Sequence, residues 1–358
     1  MSTKPERVVI AMSGGVDSSV AAALLVQQGF EVIGMMLRLW SENGKEASNR
    51  CCAPDAMASA RRVAALLGIP FFVIDARQAF REQVVQYFID GHLSGVTPNP
   101  CLICNRQIRW GFLLEHALAM QAGHLATGHY ARLRSTQDGR IQLLRAIDRD
   151  KDQSYVLYLL DQEQLRHTLF PLGELTKQQV RQLAQELNLP IAHRPESQDL
   201  CFLGHEDYRQ FLARNAPHTV HPGPILNRSG EVIGEHQGLA FYTIGQRKGM
   251  GIAAPQPLYV LDKDPTRNAL IVGFKEELGK SELIASLVHW ISGSTPTQPF
   301  RAQVKIRYKA KEVEATVIPM ESAKVKVVFD ESLRDITPGQ AAVFYQDEVC
   351  LGGGIIQE

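Results

Sequence analysis

The stretch Ala11-Met12-Ser13-Gly14-Gly15-Val16-Asp17-Ser18 sets two glycines among two serines and an aspartate, between an apolar run and a helix-forming one. Glycines at such a junction let successive backbone N–H groups converge on an anion, and the start of the following helix adds a favourable partial charge. Nucleotide phosphate suits this cradle, with Asp17 organising Mg²⁺ or pyrophosphate. The lysine-containing mononucleotide loop is excluded: no Gly-Lys-Ser/Thr follows at the required spacing, and Gly279-Lys280-Ser281 has its upstream Gly273 one residue too far. The dinucleotide glycine pattern fails as well. The bland alternative is a Gly-Gly turn that merely caps a helix.

The second source of chemistry is sulfur. Cys101 and Cys104 sit in Thr97-Pro98-Asn99-Pro100-Cys101-Leu102-Ile103-Cys104-Asn105-Arg106, ahead of an amphipathic helix. A thiol near a helix N-terminus and close to Arg106 and Arg109 is pulled below its free pKa of about 8.5, toward the nucleophilic thiolate. Cys201 lies in the polar segment Glu196-Ser197-Gln198-Asp199-Leu200-Cys201-Phe202, unlike a core. Cys51-Cys52 and Cys350 lack such a setting and read as structural or incidental. Six cysteines in 358 residues are too sparse for a secreted disulfide scaffold, so a reducing, cytoplasmic setting is expected.

These groups need a frame. With 45% hydrophobic residues and 38 basic against 38 acidic side chains, the chain is long and apolar enough for two or three cored domains, and it is no strongly basic nucleic-acid binder. No run approaches the ~20 apolar residues of a membrane helix, and the polar N-terminus is unlike a signal peptide. Apolar runs predict strands at Val8–Met12, Val32–Leu37, Pro70–Ile74 and His124–Gly128. Helical spacing predicts helices at Ser18–Gln28, Asp55–Leu67, Ala79–Leu93 and Ile108–Ala122, the third burying Phe80, Val84, Phe88 and Leu93. Strands alternating with helices imply an α/β, doubly wound parallel sheet whose ligands sit beyond the carboxyl ends of its strands. A hairpin is expected around Asp138-Gly139 and a helix from Thr176, which has capping-box spacing to Gln179. Recurrent Gly and Pro from His221 onward suggest a small β-rich central domain. Alternation in Ala302–Tyr308 and Val325–Phe329 suggests a C-terminal antiparallel sheet or barrel. The expected domains are 1–205, 206–280 and 281–358.

The glycine motif looks like the pyrophosphate loop of enzymes that cleave ATP between its α- and β-phosphates and hand AMP to an oxygen. The segments SGGVDSS, TPNPCLICN, ATGHYAR, KDQSYVLY, ESQDLCF and YTIGQRKGMGI occur in this order across most of the chain, which resembles the bacterial tRNA-specific 2-thiouridylase family. The resemblance implies an ATP-dependent sulfurtransferase. The C2 oxygen of the wobble uridine in a tRNA anticodon loop attacks the α-phosphate, pyrophosphate leaves, and sulfur displaces AMP. Carried over by motif, the ATP loop falls on Ala11 to Ser18, with further nucleotide contacts at Leu37 and Gly128. Cys104 corresponds to a nucleophilic cysteine and Cys201 to the persulfide carrier, with a transient disulfide between them. Two thiols make chemical sense, since a delivered persulfide sulfur must be cut from its carrier by thiol exchange.

Contacts to tRNA are implied at Asn99, Pro100, Cys101, His129, Lys151, Asp152, Gln153, Arg307, Tyr308 and Gln340. Independently, Arg301, Lys305, Arg307, Lys309 and Lys311 form a basic stripe, read either as a phosphate track or as a solvated strand face. Some family members carry an aspartate where this chain has Cys101, which leaves any acid/base role there in doubt. It also opens a second possibility, an iron–sulfur cluster on Cys101, Cys104 and Cys201. Expected partners are tRNA and a sulfur-carrier protein or cysteine desulfurase, with no membrane and a monomeric chain. The competing classes are another ligase with the same loop, making argininosuccinate, GMP or NAD, and a non-catalytic tRNA- or metal-binding protein.

Overall fold

A computed structural model of the chain describes residues 5–42, 53–192, 194, 200–204 and 206–357. Strand β1 (Arg7–Ala11) is an unbroken apolar run because both of its faces are covered: Val8 and Ile10 enter one core and Val9 the other. It is the middle of a five-stranded parallel sheet with β2 (Glu31–Arg38), β3 (Phe71–Asp75), β4 (His124–Ala126) and β7 (Thr168–Leu169), in the order β3-β2-β1-β4-β7. The chain builds outward from β1 first to one side and then to the other. The order therefore reverses between β1 and β4, and a crevice opens at their carboxyl ends.

Helix α1 (Val16–Gln27) buries Val20, Ala21, Ala22 and Ala23 against one face of the sheet, where α2 (Pro54–Leu66) and the helix Lys177–Glu186 join it. The last of these has the capping box expected of Thr176 and Gln179. The other face is covered by a continuous helical stretch, residues 100–119, and by the 154–160 segment, with Trp110, Tyr155 and Tyr158 wholly enclosed.

Two helices depart from expectation in the same way. Residues 77–93 are helical but open into a π-helical turn at Arg81–Val85, which suits the four-residue spacing of Phe80, Val84 and Phe88 before the regular helix resumes at Gln86. Phe80, Val84 and Phe88 are buried as expected, but Leu93, five residues past Phe88, is exposed at 40%, and Ile89 and His92 are buried instead. The helix expected from Ile108 begins eight residues earlier, at Pro100, and is π-helical from Cys104 to Leu113. Pro100 is a natural first helical residue, and wide turns of this kind are uncommon and frequently found at functional sites.

The hairpin of β5 (Ala131–Ser135) and β6 (Ile141–Arg145) forms, but it leaves the parallel sheet and adds to the C-terminal one, where β6 pairs with β17 (Val349–Ile356). That sheet closes on itself: β12 (Lys280–Trp290), β15 (Lys324–Leu333), β14 (Val313–Met320), β13 (Phe300–Lys305), β16 (Ala341–Gln346) and β17 run round in order and β17 pairs back to β12. Closure removes the sheet edges and makes a six-stranded antiparallel barrel filled by Val304, Val317, Val327 and Phe344. Between the two lies a four-stranded sheet, β8 (Gly223–Leu226), β9 (Val232–His236), β10 (Tyr259–Asp264) and β11 (Ala269–Gly273), in the order β10-β11-β8-β9.

The three parts share cores. Val343 and Tyr345 of the barrel pack in the cluster of Trp110 and Tyr155, while Val260 and Leu270 of the central sheet, with Phe241 from a turn beside it, pack with Phe80 and Phe88. Enclosing each such side chain is worth roughly 1.5–3 kcal/mol, so the domains are joined by core rather than by rim contacts.

The basic stripe does not exist as a track. Strand β13 ends at Lys305; Arg301 is paired with Asp330 at 2.5 Å, and Lys305 is buried with Glu312 at 3.6 Å. Arg307 turns inward to the Ile244 carbonyl at 3.1 Å, so the exposed members are Arg301, already paired, and Lys309 and Lys311 in the turn beyond the strand. Among the described residues no helix is long and apolar enough to cross a membrane.

Candidate nucleotide and thiol site

The turn after β1 is shaped by close approach. Gly14 has φ +71°, and a Cβ there would stand 2.1 Å from the Ala56 carbonyl oxygen, so only glycine fits. The loop is tied to itself: Ser18 Oγ accepts from the Ser13 N–H at 3.1 Å, and Ser19 Oγ donates to the Gly15 carbonyl at 2.8 Å. Gly15, the N-cap of α1, supplies no side-chain cap. The helix start, with its partial positive charge, lies at the carboxyl end of β1 beside the crevice. Gly128, just past β4, completes the wall; a Cβ there would lie 2.8 Å from Ser18 N and 2.9 Å from Asp17 C. Leu37 lies at the carboxyl end of β2, the strand beside β1. Ala11 to Ser18, Leu37 and Gly128 thus gather at one sheet edge.

Cations reach this turn from distant parts of the chain. Lys177 Nζ lies 2.6 and 2.7 Å from the two Asp17 carboxylate oxygens, and Tyr130 donates its hydroxyl to the same carboxylate at 2.7 Å. Arg194 donates to the Gly14 carbonyl at 2.9 Å. Tyr130 is braced in turn by Gln153, whose side-chain oxygen accepts from the Tyr130 N–H at 3.0 Å and whose own N–H donates to the Tyr130 carbonyl at 2.8 Å. Asp152 is buried and accepts from the Ala146 N–H at 2.9 Å and the Ser154 hydroxyl at 2.8 Å. Two members of the Lys151-Asp152-Gln153 segment therefore have supporting roles behind the phosphate turn.

His129 is buried, and burial together with the Arg109 guanidinium holds it well below the usual imidazole range. Its Nε2 accepts from Arg109 at 2.8 Å, so Nδ1 carries the proton toward Thr127 Oγ1, also at 2.8 Å. Arg109 also donates to Asn105 Oδ1 at 2.9 Å, and Asn105 donates to the Val156 carbonyl at 2.9 Å. This chain links the nucleotide edge at Gly128 to the helix that begins with the cysteines. Arg106 is close enough to act electrostatically on Tyr158 and His289.

The cysteine loop is held by all three domains. Thr97 donates its N–H to the Pro338 carbonyl at 2.9 Å, accepts at its own carbonyl from Gln340 Nε2 at 2.7 Å, and donates its hydroxyl to Thr243 at 3.2 Å. Arg307 donates to the Ile244 carbonyl at 3.1 Å and to the Thr337 hydroxyl, and Tyr308 packs at 6.1 Å from Tyr155. The YTIGQRKG segment is therefore a joint between domains. Asn99 caps the helix through its side-chain oxygen, which accepts from the Cys101 N–H at 3.1 Å, and Pro100 is buried behind it.

Cys101 is exposed. Cys104 and Cys201 are half-buried and pack on one apolar cluster that includes Phe80, Phe88 and Phe202. Phe202 meets Phe88 edge-on at 5.4 Å and Phe211 at 5.5 Å, fixing the end of the Cys201 segment against the helix 77–93. Cys350 is enclosed in the cluster of Trp110 and Tyr155 where β17 meets the N-terminal domain, and burial pushes its thiol up. Cys51, Cys52 and Glu196 to Asp199 lie outside the described residues. Among the described residues no three His, Cys, Asp or Glu side chains stand together as a metal-holding group, so the cluster on Cys101, Cys104 and Cys201 is carried no further.

Sequence reasoning missed Lys177, Arg194 and Tyr130 as neighbours of the site, and it set Arg109 beside the thiols without its bond to His129. Only Tyr130 carried a signal, lying next to His129 in ATGHYAR.

Comparison with known proteins agrees with this architecture. Family models described as tRNA methyl transferase HUP domain, tRNA methyl transferase PRC-barrel domain and aminomethyltransferase beta-barrel domain match residues 6–205, 209–274 and 280–356. The tRNA-specific 2-thiouridylase MnmA of Magnetococcus marinus is 48% identical over 356 residues, covering 99% of both chains. Its namesake in Clostridium perfringens is 44% identical over 354 residues, 98% of each, and that of Moorella thermoacetica 47% over 352 residues, 98% and 99%. With matches of this identity running from end to end, the chain belongs to the tRNA-specific 2-thiouridylase family.

Proposed function

We propose that the protein is an ATP-dependent tRNA sulfurtransferase that converts the wobble uridine of an anticodon loop to 2-thiouridine. The observation that carries the reading is the joining of a glycine-walled helix start to a helix bearing Cys104, through Gly128, His129, Arg109 and Asn105. Activation and sulfur delivery are then parts of one site.

In the first half-reaction the uridine C2 oxygen attacks the α-phosphate of ATP, and pyrophosphate leaves. Backbone N–H groups at the start of α1 receive the phosphate oxygens, and Lys177 is the cation nearest the departing charge. A divalent cation bound with ATP supplies charge neutralisation, and Asp17 is the carboxylate at the turn able to hold it once Lys177 turns to phosphate. In the second half-reaction the terminal sulfur of a Cys201 persulfide attacks C2 and AMP departs with the original oxygen. The Cys104 thiolate then attacks Cys201 Sγ, which breaks the sulfur–sulfur bond to the base and leaves a Cys104–Cys201 disulfide.

Reaching C2 requires the base to leave its stack, as for enzymes that modify bases. Asn99, Pro100, Cys101, His129, Lys151, Arg307, Tyr308 and Gln340 are proposed to frame that base and its loop. The sulfur donor is a carrier protein or desulfurase that charges Cys201. The protein is expected in the cytoplasm, as a monomer.

The test is mass analysis of nucleosides from unmodified tRNA incubated with protein, ATP and a persulfide donor. Wild type is expected to give 2-thiouridine and both Cys104→Ser and Cys201→Ser none. Turnover of ATP that ignores tRNA and tolerates both substitutions would instead identify a ligase of another kind.

A further inference from the structure

We propose that Cys101 is a second resolving thiol, which attacks Cys104 in the Cys104–Cys201 disulfide and moves that bond onto the Cys101–Cys104 pair. This rests on the two-thiol reading above. Its starting point is a mismatch of exposure: the disulfide that ends each cycle joins two half-buried sulfurs packed on the Phe80, Phe88 and Phe202 cluster, whereas Cys101 is exposed. An external reductant reaches the second kind of sulfur far more readily than the first.

Cys101 and Cys104 lie three apart on one unbroken helical stretch, residues 100–119, so their side chains are neighbours on one face. Their Cβ atoms are about 5–6 Å apart in a regular helix, whereas a disulfide needs roughly 3.5–4.5 Å. The adjustment falls in the first turn, Pro100–Ile103, ahead of the wider turns that begin at Cys104. That turn is tied at its start by Asn99, through its side-chain oxygen to Cys101 N and its carbonyl to Leu102 N at 3.2 Å. Of the two thiols, Cys101 is the one in the first turn, where a helix start favours the thiolate.

The exchange balances without an oxidant. The Cys101 Sγ–Cys104 Sγ bond forms as the Cys104 Sγ–Cys201 Sγ bond breaks, and the electron pair leaves on Cys201 as a thiolate. Cys201 is at once ready to accept another sulfur. A dithiol reductant later supplies two electrons and two protons to reopen the exposed pair.

The experiment loads the full-length protein with persulfide and mixes it with ATP and unmodified tRNA in the absence of dithiol. It is then quenched with an alkylating agent, digested, and its cysteine peptides are mapped by mass. The expected result is a peptide with Cys101 and Cys104 joined and Cys201 alkylated. In Cys101→Ser the bond is expected to stay between Cys104 and Cys201, and recharging of Cys201 by a persulfide donor without dithiol to fall about tenfold or more. Wild-type protein that retains a Cys104–Cys201 bond with Cys101 alkylated would overturn the proposal while leaving the two-thiol reading standing. 2-Thiouridine formed with no disulfide of any kind would overturn both.

Discussion

The phosphate turn and the cysteine loop are linked through His129, Arg109 and Asn105, yet they are held in different ways. The turn is fixed by short-range packing: Gly14 against Ala56, Gly128 against the first residues of α1, and serine hydroxyls folded back on their own loop. The cysteine loop depends on ties from elsewhere, with Thr97 held by Pro338, Gln340 and Thr243 from two other domains. A binding pocket for a small, invariant ligand can be rigid within one sheet edge. Under the proposed mechanism, a loop that admits a nucleic-acid base, delivers sulfur and changes its sulfur bonds is better placed where domains join.

The sharpest separation of the two regions comes from the thiols. Cys104→Ser and Cys201→Ser should each lower 2-thiouridine formation by roughly 10⁴-fold or more while tRNA-dependent pyrophosphate release in a single turnover persists. Equal loss of pyrophosphate release would mean that the regions cannot be separated. Lys177→Ala should act on the other side, lowering kcat/KM for ATP by about 10²–10³-fold, the usual cost of removing one preorganised charge from a transition state. Steady-state pyrophosphate assays with varied ATP would check it.

Acid should loosen the support beneath both. Burial, with Lys263 adding to it, lowers His92 from 6.5 to about 4, and His129 is also lowered. A histidine depressed in the folded state stays neutral there while the unfolded chain takes up a proton, so stability is lost as pH falls from about 6.5 toward 4. The loss from His92 alone should be on the order of 2–3 kcal/mol, measured by urea unfolding across that range, and His92→Gln should flatten the profile. The smallest effect is expected at the domain joint. Gln340→Ala leaves the Thr97 carbonyl without this donor, which costs about 1 kcal/mol of stability, and thiolation should slow by about tenfold with the KM for ATP unmoved. A changed KM for ATP would show the cysteine loop and the phosphate turn to be one rigid unit.

How much of this was legible in the sequence follows the same division. The SGGVDS turn was readable because glycine, serine and the following helix are neighbours in the chain, and β1 advertises its burial on both faces by an unbroken apolar run. Lys177 was not readable: 160 residues separate it from Asp17, and only the sheet topology brings its helix to the turn. The helical phase failed at Leu93 because five residues past Phe88 in the regular helix Gln86–Leu93 is about 140° off the buried face, which Ile89 and His92 occupy instead. The basic stripe failed because spacing along a chain does not reveal that β13 stops at Lys305 or that Arg301 and Lys305 meet acids on neighbouring segments. The roles of Gln340 and Arg307 as ties to Thr97 and Ile244 depend on three domains docking, which lies beyond local pattern altogether.

The most direct measurement follows the oxygen that sulfur replaces. Unmodified tRNA carrying a heavy-oxygen label at C2 of the wobble uridine would be thiolated with ATP and the AMP analysed by mass. Activation of that oxygen by the phosphate turn, followed by sulfur attack from the cysteine side, predicts labelled AMP in step with 2-thiouridine. Unlabelled AMP alongside 2-thiouridine would contradict it.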